Sequence, residues 1–95
     1  MHGEFKIPGG KLVVVDLAVE HGRLEQVRVS GDFFLEPDEA LDAINAALGG
    51  MPASAPAEAF EAAAAAGLAG ARAFGISAEG VAIAVCRALQ DAQAP

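Results

Sequence analysis

The chain has no tryptophan, no tyrosine and a single cysteine among its 95 residues. Lone Cys86 excludes an internal disulfide and any multi-cysteine metal site. With His2 and His21 it forms no CxxC or HxxxH pair, so spacing assembles no zinc centre. Cations are scarce: Lys and Arg total 6 against 13 Asp and Glu, a formal charge of -7. That charge repels phosphate, which argues against nucleic acid or an anionic membrane as a partner. No apolar run approaches the ~20 residues of a membrane span, and Met1-His2-Gly3-Glu4-Phe5-Lys6 lacks the pattern of a signal peptide. A reducing, cytoplasmic setting is the expectation. Nucleotide-binding motifs are missing too, since neither GxxxxGK[ST] nor GxGxxG occurs. Gly9-Gly10-Lys11 is glycine-rich but precedes a strand, the wrong context for a phosphate loop. No Ser-His-Asp or Cys-His constellation stands out. The sequence argues against a self-sufficient enzyme, and no catalytic residue or metal ligand is assigned.

What is present fits one domain over residues 1–95, with a β-meander in 1–36 and a helical layer in 37–95. A chain of this length buries about 60–65% of its unfolded surface, enough for one thin two-layer core and no large cleft. The run Ser30-Gly31-Asp32-Phe33-Phe34-Leu35-Glu36-Pro37-Asp38-Glu39-Ala40 is the densest in information. A strand ends at Ser30-Gly31 and a helix begins at Pro37, with two of the five aromatics in the crossing. Phe33 and Phe34 either close the core there, one ring buried and the other partly covered, or they present a surface.

The first half reads as antiparallel strands. Phe5-Lys6-Ile7 alternates, and Pro8-Gly9-Gly10 makes a turn. Residues 11–20 put Val13, Val15, Leu17 and Val19 on one face, with Asp16 and Glu20 on the other. A break at His21-Gly22 signals a hairpin. A two-residue loop sets Val15 opposite Arg28 and mixes the faces, whereas a three-residue loop sets it opposite Val27 or Val29. Pattern matching therefore favours three residues, with Gly22 left-handed and His21 exposed. Residues 23–30 complete a three-stranded meander whose second face, holding Leu12 and Val14, is partly covered or open to a partner.

The second half is helical. Pro37 suits a first helical position, and Asp38 and Glu39 suit the positive end of the dipole. Leu41, Ile44 and Leu48 form the stripe expected to be the main cover of the sheet, each contributing about 1.5–3 kcal/mol if fully buried. Gly49-Gly50 and Pro52 end this helix. The alanine-rich tract gives a helix over about 56–66, with an indefinite end among Gly67, Gly70 and Gly75. A last helix starts at the N-cap Ser77, where Ile76 can staple onto Val81, and it buries Val81, Ala84, Val85, Ala88 and Leu89. Cys86 lies beside that stripe and reads as a small hydrophobe, because a reactive thiol wants an exposed, electropositive position.

The order of pieces carries a resemblance. Gly9-Gly10-Lys11-Leu12-Val13, then Val19-Glu20-His21-Gly22-Arg23-Leu24, then Val27-Arg28-Val29-Ser30-Gly31-Asp32-Phe33-Phe34 resemble the carboxy-terminal accessory domain of lipoate–protein ligases. In some prokaryotes this domain is a separate small subunit, and a chain opening at Met1 with no catalytic domain before it looks like that form. The likeness covers residues 2–50 well and the remainder by general pattern. It implies an α+β fold similar to iron–sulfur scaffold and sulfur-acceptor proteins: a three-stranded antiparallel meander packed by two to three helices. It implies a non-catalytic partner in a heterodimer, docked on a catalytic large subunit that holds ATP, Mg and lipoate and forms lipoyl-adenylate. Lipoyl-acceptor domains are then met indirectly, and this chain binds no cofactor alone. One cysteine is a departure from cluster scaffolds, which need several thiolates.

On that resemblance Gly9, Gly10 and Lys11, with Asp32, Phe33 and Phe34, are the candidate docking residues, since they cluster at loop ends where core formation does not require them. Lys11 either approaches a nucleotide phosphate or lies solvated along the sheet edge. Two other readings compete: a sulfur-acceptor protein using Cys86, and a general protein-binding module whose face is marked by Leu12, Val14 and Phe34.

Overall fold

A computed structural model describes residues 1–91; the last four residues of the expected helical layer lie outside the described residues. Three antiparallel strands, β1 (His2–Lys6), β2 (Leu12–Glu20) and β3 (Arg23–Gly31), form a meander in the order β1-β2-β3. A second ribbon pairs β4 (Phe34–Glu36) with β5 (Arg72–Phe74). The helices are α1 (Glu39–Leu48), α2 (Ala57–Leu68) and α3 (Ala78–Asp91). The class is α+β, as the sequence pattern predicts.

The β2–β3 hairpin corrects one expectation. Glu20 pairs with Arg23, so the loop has two residues, not three, and His21 and Gly22 have φ of 55° and 75°. Positive φ at both positions is what a tight primed turn requires. Yet Val15 does pair with Val29. The register shifts between Asp16 and Ala18, and Gln26 has φ 53°. The extra residue is a β-bulge inside β3 rather than a third loop residue, and it lets Leu24 and Val29, an odd number of positions apart, both face the core.

Val13, Val15, Leu17, Leu24 and Val29 of the sheet meet Ile44 and Leu48 of α1, Phe60 and Ala64 of α2, and Val81, Ala84, Val85 and Ala88 of α3 in one buried cluster. Here a second expectation is revised. Helix α1 lies over β3, while α3 lies across β1 and β2 and is the larger cover; α2 bridges the two helices. Leu41 is only half-buried. Small residues make α3 the better cover: Gly3 of β1 lies directly beneath Ala84 and Ala88, where a Cβ would strike the helix backbone. In the same manner a Cβ on Gly67 would come within 2.7 Å of the Ile44 backbone, so α1 and α2 touch main chain to main chain. Helix α3 starts as the sequence predicts, with Ser77 Oγ accepting from the Gly80 N–H at 3.1 Å. Pro37 falls two residues ahead of α1, and Asp38 takes the cap position.

Candidate docking end

The six candidate residues come from two loops, and the structure brings those loops to one end of the meander. The β1–β2 turn is closed by the Gly10 N–H donating to the Ile7 carbonyl at 2.8 Å, and Lys6 Nζ donates to the Gly10 carbonyl at 2.6 Å. Antiparallel register places Val13 opposite Gly31, which carries Lys11 and Leu12 to the side of Asp32 and Phe33. Phe33 folds its ring over Gly31, 2.9 Å from where a Cβ would be, and is half-buried against the core.

A third segment joins these two. Residues 72–74 pair with 34–36, Phe34 opposite Phe74, and the next carbonyl, of Gly75, accepts from the Lys11 N–H at 3.0 Å. The aliphatic stem of Lys11 rests on Gly75. Sequence reasoning missed β5, because Arg72-Ala73-Phe74 sits in an alanine- and glycine-rich tract with no alternation long enough to mark a strand. The available signal was one large aromatic bracketed by Gly70 and Gly75.

The consequence is an aromatic knuckle. Phe34 and Phe74 are 53% and 60% exposed, with ring centroids 6.0 Å apart and planes tilted by 49°. Leu35 of the ribbon packs against the core, whereas both rings remain in water, where large apolar groups mark contact surfaces. Of the aromatic pair, Phe33 packs half-buried against the core and Phe34 lies on the surface. Beside the knuckle lies an open groove of about 300 Å³ lined by Ser30, Gly31, Phe33, Leu35, Asp38 and Leu41. A smaller one, about 210 Å³, separates Pro8, Gly9 and Gly10 from Gly75, Ile76 and Ser77. Lys11 and Asp32 are exposed at this end. The assembly of apolar rings, turn backbone and a few charges suits binding to another surface.

Cys86 is elsewhere, on α3, half-buried and packed against the core. Burial, and then the Glu58 carboxylate, push its thiol above the ordinary value, which lowers the thiolate fraction a sulfur acceptor would need. Its neighbour Arg87 is engaged with β1, the guanidinium 5.0 Å above the Phe5 ring and Nη1 donating to the Glu4 carbonyl at 2.9 Å. Among the described residues no group of three or more His, Cys, Asp or Glu could hold a metal ion, and no helix is long and apolar enough to cross a membrane.

A meander under three helices with a short ribbon at one corner is an architecture already seen among solved structures. One chain that shares it belongs to a structure described as an archaeal lipoylation system, a bipartite lipoate protein ligase and its E2 lipoyl domain from Thermoplasma acidophilum. The two chains agree at a TM-score of 0.62 with 21% sequence identity, over 94% of this chain and 97% of that one. At that identity the likeness establishes the fold. No family model matches the chain, and no curated protein matches it significantly.

Proposed function

We propose that this chain is the non-catalytic accessory subunit of a two-part lipoate–protein ligase. The observation that carries the reading is the shared fold over nearly the whole of both chains, with a chain from a bipartite ligase system. Its catalytic large subunit holds ATP, Mg and lipoate and makes lipoyl-adenylate, and lipoyl-acceptor domains receive the group from that subunit. The accessory chain forms a heterodimer with it in the cytoplasm. Docking is through the end where Gly9, Gly10 and Lys11 meet Asp32, Phe33 and Phe34. A rigid body set there orders mobile loops of the partner and excludes water from the adenylation site. Exposure of Phe34 and Phe74 at that end supports this, since a chain folded for itself alone gains nothing from two rings in water.

Lipoate-dependent ATP–pyrophosphate exchange tests the proposal, using a lipoate–protein ligase catalytic subunit that lacks an accessory domain of its own. Exchange should rise by more than tenfold when this chain is added, and neither protein should be active alone. An unchanged rate with a folded, lipoate-binding partner would sink it.

A further inference from the structure

The net charge of this protein arises in one stretch of chain. Residues 29–71 contain seven Asp or Glu and no Lys or Arg, which accounts for the whole net charge of -7; outside that stretch six acids and six cations cancel. Five of the seven, Asp32, Glu36, Asp38, Glu39 and Asp42, fall on β4, its approach and the first turn of α1. All five are exposed. Asp38 lines the groove of Phe33, Leu35 and Leu41, and each of the other four is next in sequence to a lining residue. Two exposed cations share this end, Arg72 opposite Glu36 and Lys11 against Gly75, so its charge is net acidic. An apolar centre with a net acidic rim selects its partner by charge as well as by shape.

We infer that the groove and knuckle take an apolar side chain presented on a basic, Lys/Arg-rich surface of the ATP- and lipoate-binding subunit. This rests on the accessory-subunit reading and names the face and the charge of the contact. Chemistry supplies the sign of the partner. A subunit that binds a nucleotide triphosphate and a carboxylate must gather cations around two anions, and a domain that covers that site meets their outskirts. A second copy of this chain would bring the same acidic rim against itself, and like charges across an interface cost affinity. The acids accelerate encounter and fix orientation, while the two rings hold the complex once formed.

The test is association of this chain with that catalytic subunit, followed by stopped-flow or surface resonance over a series of salt concentrations. Wild-type association should slow as salt rises. Neutralising the rim with D32N, E36Q and D38N together should cut the association rate about tenfold at low salt and flatten the salt dependence. Phe34→Ser with Phe74→Ser should raise the dissociation constant about tenfold or more, chiefly through faster dissociation. Glu20→Gln, an exposed acid at the far hairpin, should leave both rates as they are. Circular dichroism shows each variant folded, since every position changed is already in water. Tight binding that ignores both sets of substitutions would overturn the inference and leave the accessory role standing. No binding by the wild type would end both. Self-association abolished by the Phe34 and Phe74 changes, without catalytic-subunit binding, would give the face to a second copy and overturn the inference.

Discussion

His2 shows what a single side chain does on the open face of the sheet. Its Nδ1 lies 2.7 Å from Asp16 Oδ1 on β2 and its Nε2 lies 2.6 Å from Glu4 Oε2 on its own strand. Only the imidazolium has two N–H donors, so the protonated ring satisfies both carboxylates and the neutral ring one of them. Hydrogen bonds to Glu4 and then to Asp16 accordingly raise its pKa above the ordinary 6.5. A raised folded-state value means the clamp stabilises fully below the unfolded pKa and is lost as pH rises through the folded one. Two outcomes follow: the His2 ring resonances titrate above 6.5 in NMR, and His2→Gln flattens the decline in melting temperature across that window. A His2 titration at or below the ordinary value would contradict the clamp. Sequence spacing could not announce this site, because His2 and Asp16 become neighbours only through the β1–β2 register.

At the scale of elements, the periodic segments were legible and the irregular ones were not. Alternation over Val13, Val15 and Leu17 identified β2, and Ser77 with Ile76 and Val81 identified the start of α3, because in each the local chemistry and the burial agree. The bulge at Gln26 is partly readable: Leu24 and Val29 cannot share a face in an unbroken strand, but pattern matching alone places the extra residue in the loop. Its left-handed φ of 53° makes a sharp test. Gln26→Gly should stabilise by ~0.5–1 kcal/mol and Gln26→Val should destabilise by at least as much, read from urea midpoints. If both substitutions were neutral, the bulge would not hold the register. Gly67 offers a second test with an inverted sign. Alanine for glycine inside a helix ordinarily gains about 1 kcal/mol. Here a Cβ meets the Ile44 backbone, so Gly67→Ala should cost about 1–2 kcal/mol net through overpacking between α1 and α2. A raised urea midpoint would disprove that close approach.

For the whole molecule, the α+β class and the approach of the two candidate loops were within reach of the sequence, since a meander must return its turns to common ends. The ribbon that joins them was not. Strand β5 comes from residues 72–74, far along the chain, and nothing short of the tertiary fold pairs Phe74 with Phe34. That pairing turns a lone exposed ring into a two-ring surface at the end proposed for docking.

The accessory role proposed above puts this chain in adenylate formation rather than in the later transfer, and bypassing the first step tests that most directly. Transfer of the lipoyl group to an acceptor-domain lysine would be measured twice with the catalytic subunit, once from lipoate and ATP and once from synthetic lipoyl-adenylate. An accessory role in adenylation predicts that the first reaction needs this chain and that the second proceeds at the same rate without it. Equal dependence of both reactions on this chain, or of neither, would contradict it.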